Sequence, residues 1–125
     1  MRKNIKIGNQ ELPFEANLGT ARLYEKLTGQ NILMILTNFK TMGEEDKKRF
    51  AIQLFTIFEQ LAYVMNVQAT STDIKEMKSR MNEDDFMEWE MRFSLSDFGE
   101  EQLLEIGNLW ASTQETHSES ASKNV

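Results

Sequence analysis

Residues 44–66, EEDKKRFAIQLFTIFEQLAYVMN, decide the fold class of this 125-residue chain. Apolar side chains recur here at three- and four-residue steps, which is the spacing of one face of an α-helix. One row consists of Phe50, Leu54, Ile57, Leu61 and Met65, and a second row beside it of Ala51, Phe55, Phe58 and Ala62. Because so wide an apolar stripe packs on more than one side, we predict the central helix of a mainly α-helical fold. The residues expected in its core are Phe50, Leu54, Ile57, Phe58 and Leu61.

Residues 4–15, near the start of the chain, have the pattern of a β-hairpin. Ile5 and Ile7 alternate with polar neighbours, and Leu12 and Phe14 resume the alternation after the turn pair at residues 8–9, Gly-Asn. A two-stranded hairpin is only marginally stable alone in water. We therefore expect its apolar face to pack on the helices.

The rest of the chain reads as further helices with recognisable starts and stops. A helix over 18–28 ends at Gly29, and Asn31 caps a second short helix. Capping-box spacings at Thr41–Glu44 and Thr70–Asp73 predict the starts of the central helix and of a helix over 71–81. Asn82 opens another helix, and Asp97–Glu100 opens the last one.

The predicted domain organisation is simple. Residues 1–111 form a single helical domain with the N-terminal hairpin at 4–15 and about five or six helices. From residue 112 the sequence, STQETHSESASKNV, has almost no apolar side chains. Such a segment cannot offset its ordering entropy by burial, so we predict a disordered polar tail over 112–125.

The net charge of −6 is unevenly distributed along the chain. Residues 1–40 carry +3, residues 41–81 are neutral, and residues 82–125 carry −9. One interpretation is that the basic and acidic ends of different copies meet head to tail, which would build rings or spirals. The other is that the acidic half is simply a solvated face.

The sequence offers no plausible site for catalysis or metal binding. There is no cysteine, and the single histidine, His117, lies in the polar tail. The acids at 83–85 and 97–101 lack the alternating ligands and turn glycine of a calcium loop. The scattered glycines form no phosphate-binding loop. We therefore expect a protein that is not an enzyme and that uses no cofactor and no metal.

Nucleic acid and membrane are also unexpected as partners. The basic run at 47–49 directly follows the acids at 44–46, a spacing that favours pairs within the helix over a phosphate-binding stripe. No uninterrupted apolar stretch approaches the ~18 residues typical of a membrane span, and no signal peptide is recognisable.

The apolar composition points instead to protein binding. The chain has eight Met, eight Phe and two Trp, and several of them fall in the acidic helix after Asn82. Methionine beside aromatic residues is typical of adaptable binding surfaces, although these side chains could equally be core. The candidate protein-binding residues are Phe86, Met87, Trp89, Met91, Phe93, Leu103 and Trp110.

Several features of the chain occur together in one layout. Residues 5–14 have the pattern Ile-x-Ile-Gly-Asn-x-x-Leu-x-Phe, and the first helix ends Glu25-x-Leu27-Thr28-Gly29. A long apolar helix, an acidic C-terminal half and a Ser-rich tail follow. This layout resembles the tail assembly chaperones of long-tailed bacteriophages that infect Gram-positive bacteria.

This resemblance implies a non-catalytic, oligomeric chaperone in the host bacterial cytoplasm. Such proteins bind the long tape measure protein, keep it soluble while the tail tube assembles around it, and are absent from the mature virion. The implied partners are the tape measure protein, further copies of the chain and the tail tube protein.

The resemblance also implies a second, longer product made by programmed frameshifting. Ser122-Lys123-Asn124 can be encoded as TCA AAA AAC, which contains the slippery heptamer A-AAA-AAC. Arg2-Lys3-Asn4 could be encoded with the same heptamer, so the residues allow a frameshift site at 122–124 but do not establish one.

Two other classes of function stay open from the sequence. One is an acidic regulatory protein that mimics DNA and inhibits a host nucleic-acid-binding enzyme. It would expose the acids of 82–105 at regular, phosphate-like spacing and bury the aromatics. The other is a structural tail or head–tail joining subunit, which would remain in purified virions.

Overall fold

The computed structural model describes the backbone of residues 1–123 and the side chains of residues 1–114. Helix accounts for 68% of the chain, and an antiparallel hairpin precedes six α-helices in this described part. The strands are β1 (Arg2–Ile7) and β2 (Gln10–Glu15). The helices are α1 (Thr20–Thr28), α2 (Ile32–Thr41), α3 (Glu44–Thr70), α4 (Ile74–Ser79), α5 (Glu83–Glu90) and α6 (Glu100–Lys123), with a 3₁₀ turn at Leu95–Asp97. The predicted mainly α fold class is confirmed.

The hairpin packs on the helices through one face, as predicted. Ile5 lies opposite Leu12, and residues directly opposite in an antiparallel pair share a face of the sheet. Ile5, Ile7 and Phe14 are fully buried, because β2 packs on α3 and β1 packs on α6. At the turn only Gly8 has a positive φ, of 62°.

The C-terminal half of α3 is the centre of the core. Every side chain from Leu61 to Gln68 is buried, whereas the N-terminal half of α3 is largely exposed or half-buried. By length and composition α3 could span a membrane, with 44% of its apolar window buried inside the fold. Of the residues predicted as core, Ile57 and Leu61 are buried, while Phe50, Leu54 and Phe58 are only partly buried against the core.

The helix caps are partly as predicted. Asn31 accepts hydrogen bonds from Leu33 N and Met34 N, and Asn82 Oδ1 accepts one from Asp85 N at 2.8 Å. Both asparagines therefore satisfy backbone N–H groups that a helix start leaves without partners.

Two predicted capping boxes are wrong because a neighbouring helix includes their first residue. Thr41 is the last residue of α2, and Gly43 caps α3 without a side-chain hydrogen bond. Thr70 still belongs to α3, and Asp73 alone caps α4.

The boundaries of α4 and α6 also differ from the prediction. The helix predicted over 71–81 is shorter, since α4 covers only Ile74–Ser79, and Ile74 at its start is 66% exposed. Asp97 does not cap α6; its Oδ2 accepts from Ser94 N at 2.9 Å within the 3₁₀ turn. The side chain of Gln102 instead accepts from Gly99 N at the start of α6.

The predicted start of the disordered tail at residue 112 is too early. α6 continues through residues 112–114, where Ser112 Oγ donates to Leu109 O and Thr113 Oγ1 donates to Trp110 O, each at 2.7 Å. The remainder of that prediction concerns residues 115–125, whose side chains lie outside the described part of the chain.

A buried polar network fixes the start of α1 against α3. Thr20 Oγ1 donates to Gln68 Oε1 at 2.6 Å and accepts from Asn17 N. The amide of Gln68 in turn donates to Asn17 Oδ1 at 2.9 Å. Thr20 and Gln68, the two buried side chains of this network, therefore have hydrogen-bond partners, which offsets the cost of burying them.

Candidate functional site

An apolar groove lies between α2, α3 and α6. Its volume is about 310 Å³, and its apolar lining consists of Leu33, Leu36, Phe39, Phe58, Trp110 and Ala111. Gly107 of α6 also lines the groove, where a Cβ would meet the ring of Phe58 at an ordinary contact distance of 3.6 Å. An apolar helix or side chain could enter the groove.

The groove continues onto an exposed apolar surface of α2. Ile32 is the only fully buried residue of that helix, whereas Leu33 and Met34 are 48% and 63% exposed. The end of α2 rests on α3 through Phe39, whose ring lies 5.7 Å from that of Phe50. This helix is therefore held at its two ends and leaves apolar side chains uncovered between them.

These α2 residues were missed by the sequence reasoning, although a signal was present. Residues 32–36 of α2 are five apolar side chains in succession, Ile-Leu-Met-Ile-Leu, so they place apolar surface on every side of the helix. A short helix that is apolar on most sides must expose some of that surface unless it is central to the core.

A second exposed apolar feature lies on the outer face of α5. Met87 is 50% exposed, Met91 is 80% exposed, and Leu95 in the following turn is 83% exposed. Met87 and Met91 are four residues apart at the end of α5, so they lie on one ridge of that helix. Leu95 follows after the helix has ended, in the 3₁₀ turn. We call Met87, Met91 and Leu95 the methionine stripe. Its borders are acidic, since Glu83, Asp84 and Glu88 of the same helix are all exposed.

The aromatic candidates of α5 lie in the core. Phe86 and Trp89 are 8% and 3% exposed, and Tyr63 of α3 packs against both rings at centroid distances of 5.3 and 5.4 Å. Phe93 is half-buried and meets Trp89 edge to face at 5.1 Å. These rings are therefore part of the core, as the second interpretation of the sequence expected. They could bind a partner only if the fold opened.

The other four candidates differ in position. Met87 and Met91 are exposed on the methionine stripe, and Leu103 is half-buried against the core. Trp110 is only 6% exposed but borders the groove. The structure therefore does not bring the seven candidates together into one surface. Their role in protein binding stays a prediction.

A cavity of about 450 Å³ adjoins the methionine stripe, between α1, α3 and α5. Leu27, Phe86 and Met87 give it an apolar side, and Glu83 and Glu90 bring carboxylates to it. Gln60 also lines it and accepts a hydrogen bond from Tyr24 Oη at 2.9 Å. A long side chain with an apolar stem and a polar end matches this lining.

A carboxyl pair links α3 to α5 beside this cavity. Burial raises the pKa of Glu59 to about 8, and a hydrogen bond with Glu90 and the negative charge of Glu90 act in the same direction. In the described residues no lysine or arginine comes within salt-bridge distance of either carboxyl. At neutral pH the pair therefore holds a proton in place of a cation.

The charge polarity of the sequence is partly neutralised by folding. β1 packs on α6, and Lys3 Nζ lies 3.8 Å from the carboxylate of Glu105. The basic strand is thus beside part of the acidic half and not at the opposite end of the molecule. Glu83, Asp84 and Glu88 on α5 have no such ion pair among the described side chains. Head-to-tail association stays a prediction.

The part of the chain that the structure describes has few groups of side chains that could bind a metal ion or catalyse a reaction. No group of three or more His, Cys, Asp or Glu side chains is placed to hold a metal ion within it. His117 lies outside the described side chains. The features that could bind something are the groove, the methionine stripe and the cavity.

Comparison with known proteins adds no relative. No protein-family model, no curated protein and no solved structure matches this chain.

Proposed function

We propose that this protein is a phage tail assembly chaperone that binds the tape measure protein and keeps it soluble while the tail tube assembles. The observation that carries the proposal is the uncovered apolar groove between α2, α3 and α6, together with the exposed α2 side chains beside it. An amphipathic helix can place its apolar face in such a groove. The layout of the sequence, which resembles these chaperones, supplies the identity of the client.

The uneven distribution of burial supports a binding role over a purely structural one. Leu33 and Met34 are largely exposed, while the C-terminal half of α3 is completely buried. The domain therefore has a sufficient core without these side chains. Contiguous exposed apolar surface on a folded domain marks interaction sites. One protomer is small beside a client hundreds of residues long, so several copies would act on each client.

Paired substitutions test the groove directly. Leu33→Gln with Met34→Gln removes Leu33, which lines the groove, and the exposed Met34 that follows it on α2. We expect at least a several-fold loss of co-purified tape measure protein. The matched control is Leu18→Gln with Ile74→Gln, since these side chains are 96% and 66% exposed and neither lines the groove. Equal recovery with both double variants would contradict the assignment of the groove.

One observation favours a second candidate, the DNA mimic. As that function requires, Phe86 and Trp89 are buried while acids of α5 and α6 such as Glu88 and Glu100 are exposed. The exposed Met87 and Met91 in the middle of the acidic face argue against it, because apolar side chains have no counterpart in a phosphate backbone. Competition between this protein and duplex DNA for a host nucleic-acid-binding enzyme would support the mimic.

The protein composition of the purified virion distinguishes a structural tail or head–tail joining subunit from a chaperone. Mass spectrometry of purified virions would find such a subunit at stoichiometric levels. The chaperone proposal expects its absence from mature particles.

A further inference from the structure

A second exposed apolar surface lies on α5, beside the cavity between α1, α3 and α5. The methionine stripe gives it flexible apolar side chains, which adapt to irregular partners. Glu83, Asp84 and Glu88 border the stripe, and the cavity opens next to Met87. This surface differs from the groove, whose lining has Lys40 as its charged residue and no acid.

We propose that this surface binds an amphipathic helix whose apolar face is bordered by lysine or arginine, with one basic side chain entering the cavity between α1, α3 and α5. The apolar side of the cavity, formed by Leu27 and Phe86, packs against the aliphatic stem of that side chain. The carboxylates of Glu83 and Glu90 receive its charged end. Lysine and arginine commonly bury their stems in this way while the charged group meets polar partners.

Charge complementarity selects this occupant. Residues 82–111 carry nine acids and one base, Arg92, for a net charge of −8. In the described residues the carboxylates at the cavity have no ion pair within the chain. A basic helix supplies the missing cations, whereas an acidic helix would add like charges and be repelled. The inference rests on the proposed function only in naming the tape measure protein as the source of such a helix.

Entry of a cation also displaces a proton. The proton is shared between Glu59 of α3 and Glu90 of α5. Glu83 of α5 lines the cavity with Glu90, and the Tyr24–Gln60 hydrogen bond lies on the side of α1. Glu90 lines the cavity, and a positive charge beside it favours the ionised form of the Glu59–Glu90 pair, so the shared proton leaves when the basic side chain binds near neutral pH. Proton release therefore reports occupation of the cavity and not only contact with the stripe.

The test uses two synthetic helical peptides of about 20 residues, a length at which a helix can form. Both carry the same leucine face; one has lysines along its borders, and its twin has glutamates at the same positions. We expect the lysine peptide to bind at least about tenfold more tightly, with an affinity that falls as salt is added. Calorimetry in buffers of different ionisation enthalpy should show proton release for the lysine peptide.

Two variants and a matched control locate the binding site. Met87→Gln with Met91→Gln should weaken the lysine peptide about tenfold, and Glu83→Gln with Glu88→Gln several-fold. Glu100→Gln with Glu101→Gln removes the same charge from exposed positions on α6 and should change affinity less than about twofold. Circular dichroism of each variant confirms that helix content is retained.

The outcomes separate this inference from the proposed function. Equal binding of the two peptides, or equal loss in the α5 and α6 charge variants, would overturn the inference even if the tape measure protein is kept soluble. Discrimination between the peptides at α5, with a tape measure protein that stays insoluble, would retain the docking surface and overturn the chaperone proposal.

Discussion

The side chain of Asn66 accepts a hydrogen bond from Trp89 Nε1 at 3.1 Å and donates one to Pro13 O at 2.9 Å. One amide thus joins α3 to both α5 and the hairpin in the interior. Asn66 and Trp89 are 5% and 3% exposed, so water does not readily replace either partner. The indole N–H and the amide satisfy each other, which lets a tryptophan from an acidic helix enter the core.

The first prediction concerns this junction. Asn66→Ala leaves the Trp89 N–H and the Pro13 carbonyl without partners, and each unsatisfied buried group costs about 1–3 kcal/mol. We expect the free energy of unfolding to fall by about 2–4 kcal/mol in urea denaturation. Gln53→Ala on the exposed side of α3 is the control and should change it by less than about 0.5 kcal/mol. Equal effects of the two substitutions would show that the junction does not stabilise the fold.

The second prediction concerns the hairpin turn. Gly8 has φ of 62°, and a Cβ there would lie 2.7 Å from the carboxyl group of Asp97, which is held by Ser94 N. Gly8→Ala should therefore lower the free energy of unfolding by about 1–3 kcal/mol. In Gly107→Ala the new Cβ meets Phe58 at an ordinary 3.6 Å, and a helix prefers alanine to glycine. That control should be neutral or stabilising, and the prediction fails if the two variants unfold alike.

The third prediction concerns pH. The pKa of Glu59 is about 8 in the folded protein against a model value of 4.5, so between these values the folded chain holds more protons than the unfolded chain. Stability should therefore decrease as pH rises from about 4.5 through about 8. After allowance for the partial exposure of this carboxyl, the loss should be on the order of 1 kcal/mol.

Glu59→Gln tests the origin of that pH dependence. The glutamine amide can still donate to Glu90 but has no proton to lose. The melting temperature should therefore vary about half as much, or less, between pH 5 and pH 8. Glu88→Gln replaces a carboxyl at an exposed position of α5 and should leave the change of melting temperature with pH as it is. If that change is also unaltered in Glu59→Gln, another group is responsible for it.

The fourth prediction is read from the gene. If a longer product is made, the codons for Ser122-Lys123-Asn124 contain the uninterrupted heptamer A-AAA-AAC. A tape measure gene should lie immediately downstream. An interrupted heptamer would contradict the predicted frameshift and would leave the proposals about the binding surfaces unchanged.

The fold was predictable where local patterns are strong. The alternation around Ile5 and Phe14 gives the hairpin, and the period of α3 gives the central helix, because each pattern has one low-energy way to bury its apolar face. Caps at Thr41 and Asp97 were misassigned because a capping spacing does not show whether its first residue already belongs to the preceding element.

The candidate site was predictable only in part. Met87 and Met91 were identified because they fall among acids, and they are exposed. Trp89 was placed in the same set because sequence spacing does not reveal that Asn66 satisfies its indole N–H in the core. The groove beside Leu33 could not be located, since it depends on how α6 approaches α3 at Gly107, a contact between residues far apart in the chain.

The most decisive test of the proposed chaperone function is the soluble fraction of the tape measure protein predicted to be encoded downstream, measured with and without this chain in the same cells. If the proposal holds, the tape measure protein is largely insoluble alone, becomes soluble on co-expression, and elutes with this chain as one complex on a sizing column. A tape measure protein that stays in the pellet, with no shared peak, would contradict the account.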